Sequence, residues 1–308
     1  MNILLWHVHG SWTTAFVQGK HRYLIPVNEA RDEWGRGRAR TFDWPSSAEE
    51  HPLEEIRDAD IAIVQRPEEL DRVPPHVPVV YVEHNTPKGD VPQSRHPMAD
   101  RDDLIVAHVT HFNELFWDTG HTRTTVIEHG VVEPKARWTG SLERLAIVTN
   151  EPVRRGRVTG TDLFERFTPV APLDVFGMGV VPLRQDRVTT YDDPPQHEMH
   201  EQIALRRAYL HLCRWTSLGL SLIEAMQIGM PVLALATTEA VAAVPPDAGV
   251  LATRVDTLVE AAQWLLAEPD EAARLGARAR QVALTRYGLD RFLADWDRLL
   301  EEELCASR

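Results

Sequence analysis

The chain has 308 residues, 43% of them hydrophobic, and a formal net charge of −13. That is more chain than one ordinary core spans, so two domains are expected. The acidic balance disfavours extended nucleic-acid binding, which needs a basic face, and the first 140 residues, with 15 basic and 22 acidic side chains, offer no basic membrane-docking surface.

The N-terminus, MNILLWHVHG, reads as a first strand rather than a basic leader. No stretch reaches the roughly 20 apolar residues of a membrane span. Cys213 and Cys305 make neither a disulfide framework nor a zinc spacing. A soluble cytoplasmic protein is expected. Short β-branched runs at residues 2–8, 59–65, 77–83 and 103–107 suit strands buried on both faces of a parallel sheet. Helical segments are expected at 48–57 and 111–120, the latter stopped by Gly120.

The pattern restarts after residues 134–140. Strands are expected at 145–149, 174–176, 209–213, 231–234 and 249–252, with helices at 160–167, 220–228, 256–267 and 270–287. An amphipathic helix at 289–303 closes the chain. Two βα alternations predict an α/β protein of two doubly wound, Rossmann-like domains. Their expected bounds are 1–136 and 137–288, with 289–308 packing back on the first. Ligands in such sheets bind beyond the carboxyl ends of the strands, and two facing domains would share one cleft.

One stretch carries chemistry: TSLGLSLIEAMQIGMPV, residues 216–232. The chain turns through Thr216, Ser217, Leu218 and Gly219 and enters a helix near Leu220. A helix start offers unpaired N–H groups and partial positive charge, and Gly219 permits close approach, so a phosphate cradle is plausible. Glu224 lies about a turn deeper, where a carboxylate can accept two hydrogen bonds from a vicinal diol such as a ribose. The bland alternative makes Glu224 a partner of the helix dipole and Gly219 merely a turn.

Glu224, Ala225, Met226, Gly229, Pro231 and Val232 together resemble the signature of family 4 retaining glycosyltransferases with the GT-B fold. That signature has a first glutamate eight residues earlier, where this chain has Thr216. The resemblance implies that Glu224 binds the nucleotide ribose, that Thr216 through Leu220 line the donor, and that Thr216 affects donor choice. Residues 126–131, VIEHGV, are similar to the segment closing the family's first domain. Arg154, Arg155 and Arg157 fall where the family holds the donor diphosphate, a role suited to forked guanidinium groups. Thr237, Thr238 and Glu239 match the family's Gly-Gly-x-x-Glu loosely.

In the first domain the resemblance puts Gly10 and Ser11, in the loop 8–14, under the donor phosphates. Trp12 would stack on a sugar face or belong to the core. His84 matches a family histidine near the reacting carbon, with Glu83 and Asn85 close enough in sequence to serve instead. His108 and His111 invite a metal reading, as do Asp192 and Asp193, but no zinc spacing accompanies them and GT-B enzymes generally need no metal. The implied activity is transfer of a sugar from a nucleotide-diphosphate sugar to a small acceptor with retention. A GT-B-like partner protein without donor chemistry, which Thr216 would favour, or a nucleotide-sugar hydrolase or phosphorylase on the same scaffold, are the alternatives.

Overall fold

The computed structural model describes residues 1–306. The chain divides into two compact units, Met1–Val132 together with the C-terminal helix, and Glu133–Gly288.

The first unit is built on seven parallel strands: β1 (Asn2–Leu5), β2 (Arg22–Pro26), β3 (Ala48–His51), β4 (Ile61–Val64), β5 (Val79–Glu83), β6 (Leu104–His108) and β7 (Arg123–Val126). Their order is β3-β2-β1-β4-β5-β6-β7. The direction of winding reverses between β1 and β4. Alternate residues serve opposite faces. Leu4, Trp6, Ala62, Val64, Tyr81 and Val106 join one core cluster. Helices α1 (Gly10–Phe16) and α2 (His111–Phe116) follow β1 and β6.

The second unit has six parallel strands: β8 (Leu142–Val148), β9 (Leu173–Gly177), β10 (Val188–Asp192), β11 (Arg206–His211), β12 (Val232–Leu235) and β13 (Gly249–Ala252), ordered β10-β9-β8-β11-β12-β13. Its helices are α3 (Pro152–Arg155), α4 (Phe164–Phe167), α5 (Gln196–Ile203), α6 (Leu220–Ile228), α7 (Ala240–Ala243), α8 (Val255–Ala267) and α9 (Pro269–Arg286). Here the winding reverses between β8 and β11.

The last helix, α10 (Leu289–Ala306), belongs to the first unit. Phe292, Trp296, Leu299, Leu300 and Glu303 recur at helical spacing on its buried face. With Trp12 and Phe16 of α1, Phe292 and Trp296 form a ring cluster at centroid distances of 5.0–6.3 Å. Glu303 accepts both Arg123 Nη groups, at 2.9 and 2.7 Å. The glycine of the VIEHGV segment is explained by this packing. A Cβ on Gly130 would lie 2.2 Å from Phe292 Cβ, an atom fixed by the helix backbone. Gly130→Ala should therefore force α10 outward and cost about 3 kcal/mol or more, the upper end of overpacking penalties. Thermal denaturation checks this, and an unchanged midpoint would refute it.

Two sequence expectations are corrected here. Residues 48–57 are not a helix. Ala48–His51 is a strand, followed by a 3-10 turn at Leu53–Glu55. Pairing with β2 overrides the helix-forming composition: Glu49 takes the Arg22 guanidinium of β2 at 2.8–3.0 Å, and Glu50 takes Arg31 of the loop after β2 at 2.9 Å. The segment 8–14 is not an open loop either, because α1 begins at Gly10 and buries Trp12 completely.

Candidate functional site

In the second unit the reversal between β8 and β11 opens a crevice at the carboxyl ends of those strands, the usual ligand position in such sheets. The loops that follow them are tied together. Arg214 donates its backbone N–H to Val158 O at 2.8 Å and its guanidinium to Arg157 O and both Asp162 oxygens at 2.6–2.9 Å. Thr237 Oγ1, after β12, donates to Cys213 O at 2.8 Å.

The three candidate arginines sit on the β8 loop but in different states. Arg154 is exposed and 3.6 Å from Glu151. Arg157 is exposed and paired with Asp162 at 3.4 Å. Arg155 is partly buried, and its charge opposes the upward shift that burial gives the Cys213 thiol on the β11 loop. Arg155 is thus near enough to the β11 loop for its charge to be felt there.

That loop leads through partly buried Thr216 and buried Ser217 and Leu218 into α6. The backbone of Gly219 has φ −70°, which any residue adopts. Glycine is needed for space: a Cβ would stand 2.7 Å from His211 Cε1. Burial lowers the His211 pKa to about 4, so a neutral ring packs under the helix start. Among the described residues no side chain caps α6, whose first turn includes partly buried Leu220 and Ser221. At the other end Gly229 is left-handed, φ 95°, and its N–H and that of Met230 close on Met226 O and Ala225 O at 3.0 Å. The Gly229 and Pro231 of the signature thus serve helix termination.

Glu224 is 3% exposed. It lies beyond the first turn of α6, so dipole complementation does not explain it. Its carboxylate faces α5: Gln196 Nε2 donates to Oε1 at 3.0 Å, and His200 Nε2 meets Oε2 at 3.1 Å. Gln196 and His200 are one helical turn apart, and neither is singled out by the sequence. Their only sequence signal is an i, i+4 polar pair after Pro194-Pro195. Glu239 is buried and bonded to Arg286 at 3.2 Å, while Thr238 before it is left-handed, φ 48°, a conformation that favours glycine.

In the first unit, Gly10 and Ser11 begin α1 just after β1, beside the reversal of that sheet. The Phe42 ring lies over Gly10, where a Cβ would be 2.9 Å from Cε2. Trp12 is core, stacked on Phe16, which removes it as a sugar platform. His84 follows β5. Its ring lies 4.1 Å from that of His9 and 5.0 Å from Trp12. His84 Nε2 and His129 Nδ1 are buried without hydrogen-bond partners among the described residues. Burial, with repulsion from His9 and His129, holds His84 well below its ordinary pKa. Burial also lowers His9 to about 4 and His129 to about 3.

Glu83, the last residue of β5, is taken up by bonds of its own. Its oxygens bond His96 Nε2 at 2.9 Å and the Asn85 backbone N–H at 2.6 Å. Asn85 is exposed, and its carbonyl takes Trp117 Nε1 at 2.8 Å. His108 is fully buried whereas His111 is exposed on α2. Asp192 caps a turn by accepting from the N–H groups of Gly179 and Val180 at 2.9 and 3.1 Å. Among the described residues no group of three or more His, Cys, Asp or Glu side chains could hold a metal ion, and no helix is long and apolar enough to cross a membrane.

Residues 184–282, which include α5, α6 and Glu224, match the family described as Glycosyl transferases group 1. No curated protein is matched by the sequence. Among solved structures, the chain is similar to sucrose-phosphate synthase from Thermosynechococcus elongatus, with a TM-score of 0.75, 14% identity, and coverage of 99% of this chain and 100% of the other. It is also similar to Anabaena HepE in complex with UDP-glucose, with a TM-score of 0.72, 13% identity and coverage of 98% and 100%. A third likeness is to AviGT4, a glycosyltransferase involved in avilamycin A biosynthesis, with a TM-score of 0.64, 13% identity and coverage of 99% and 98%. The chain therefore has the GT-B fold, two Rossmann-like α/β domains each built on a parallel sheet.

Proposed function

We propose that this protein is a glycosyltransferase that moves a sugar from a nucleoside diphosphate sugar to an acceptor hydroxyl with retention of anomeric configuration. The observation that carries the reading is Glu224. It is an oriented, buried carboxylate one turn inside an uncapped helix, at the crevice of the second sheet, within the segment that matches Glycosyl transferases group 1. The HepE complexes, whose fold this chain shares, contain UDP and UDP-glucose.

In this reading Glu224 accepts the ribose hydroxyls. The diphosphate lies at the start of α6, against the N–H groups near Gly219 and Leu220 and the Arg155 guanidinium, with Arg154 and Arg157 contributing charge at longer range. Negative charge grows on the diphosphate as the glycosidic bond breaks, and fixed donors there stabilise the transition state without reorganising. The leaving phosphate takes the acceptor proton, so the chemistry needs no protein nucleophile at Thr216, whose hydroxyl instead bears on the choice of donor sugar. Guanidinium groups and helix N–H groups do the neutralising, and no metal is invoked. In the first unit, taken by itself, Gly10 and Ser11 at the start of α1 and the neutral His84 after β5 are the candidate substrate-contacting groups. The acceptor is a small molecule.

Calorimetry with UDP, GDP, ADP and TDP tests the reading. The wild-type protein should bind at least one. Glu224→Gln, which keeps the shape but removes the charge, should weaken that binding by about 1.5–3 kcal/mol, the worth of a charge-assisted hydrogen bond. No binding by the wild type, or equal binding by the variant, would sink the proposal.

A further inference from the structure

We propose that Gln196 and His200 are positioning residues that make the site selective for ribonucleotides over their deoxy counterparts, an inference that rests on the function proposed above. Each Glu224 oxygen receives one hydrogen bond from α5, Gln196 Nε2 on Oε1 and His200 Nε2 on Oε2. A carboxylate has about four lone-pair sites. The clamp occupies one on each oxygen and leaves one on each. Because both oxygens are tied to one helix, the carboxylate plane cannot rotate about its terminal torsion, and one lone-pair site on each oxygen stays free at a fixed orientation.

Two fixed acceptors, one on each oxygen, fit two adjacent O–H donors, as in a vicinal diol. A 2′- or 3′-deoxy ribose would fill only one. The other oxygen would then be left short of a partner in a site where Glu224 is 3% exposed and His200 7% at its side chain. An empty lone-pair site on a buried carboxylate forgoes a charge-assisted hydrogen bond, whereas a freely rotating carboxylate could turn that site toward water. The clamp therefore converts a general attraction for hydroxyls into a requirement for two. Tyr209 reinforces the arrangement, since its hydroxyl donates to Ser221 Oγ at 2.9 Å and fixes the preceding turn of α6.

The test is calorimetric affinity for UDP, GDP and ADP and for the 2′-deoxy and 3′-deoxy form of each, in the wild type, His200→Leu, His200→Gln and Gln196→Leu. The wild type should prefer the ribonucleotide by about tenfold or more, the worth of one hydrogen bond to a charged group. His200→Leu should lose about that factor for the ribonucleotide and little for the deoxy forms, so the ratio collapses. His200→Gln, which can still donate from an amide nitrogen, should restore it. Should His200→Leu fail to fold, Gln196→Leu, on the partly exposed member of the pair, carries the same comparison. A wild type that binds nucleoside diphosphates with a ratio unchanged in His200→Leu or Gln196→Leu would overturn this inference alone. A wild type that binds none would overturn the proposed function, and this inference with it.

Discussion

Asp174→Asn should lower the stability of the second unit by about 3–5 kcal/mol, the usual cost of removing one partner from a buried ion pair. Asp174 is fully buried on β9 between Arg144 of the adjacent β8 and Arg206 of β11, one strand further across the sheet. Its Oδ2 accepts Arg144 Nε at 2.8 Å and Arg206 Nε at 2.7 Å, and its Oδ1 accepts Arg144 Nη2. Arg206 is itself 2% exposed, donates to the Tyr191 hydroxyl at 3.0 Å and lies over the Phe176 and Tyr191 rings. A guanidinium does not deprotonate, so the asparagine variant strands a cation among aromatic rings. Replacing the set by apolar residues of similar volume, Asp174→Leu with Arg144→Met and Arg206→Met, should cost far less, because no charge is left behind. Urea titration of the second unit distinguishes the two. A single-variant loss below about 1 kcal/mol would mean that the cluster is solvated and worth no more than a surface pair.

The sequence is legible where one physical signal dominates. β4, β5 and β6 show themselves as short β-branched runs because both faces of the sheet are covered. Helix α6 can be bounded at Leu220 and Ile228 because a glycine stands at each end. The polar strands are not legible. β3 is Ala-Glu-Glu-His and β7 is Arg-Thr-Thr-Val, each at an edge of the sheet, and their partners alone make them strands. The same limit hides half of the candidate site. Glu224 stands out as an acid in an apolar turn, but Gln196 and His200 sit on a helix where only Met199, His200 and Ile203 are buried. No periodicity links a residue to one 28 positions away. His9 and His129 are likewise brought beside His84 by strand order, which a single sequence does not state.

Acidification from pH 7.5 to 5 should destabilise the protein severely, and histidines rather than carboxylates should drive it. His9 and His211 are lowered to about 4, and His108 and His129 to about 3, in each case chiefly by burial. In the unfolded chain all four titrate near 6.5. Below that value the unfolded state takes up protons that the folded state refuses. The stability associated with the neutral rings is therefore complete above pH 6.5 and is lost as pH falls toward the folded values. Each histidine contributes a slope of up to about 1.4 kcal/mol per pH unit. By pH 5 the four together amount to roughly 6–8 kcal/mol at most, comparable with the whole stability of an ordinary domain. A carboxylate such as Glu49, held near 2 by Arg22, acts with the same sign but only below about pH 4.5, so the onset separates the two causes. Both ring nitrogens of His108 are buried without hydrogen-bond partners among the described residues, so His108→Phe removes a titrating group without breaking a bond. In urea titrations at successive pH values this variant should flatten the acid slope by about 1.4 kcal/mol per pH unit between pH 6 and 4.5. A stability that stays level from pH 7.5 to 5.5, or a slope that His108→Phe leaves unchanged, would show that protons reach these rings in the folded state.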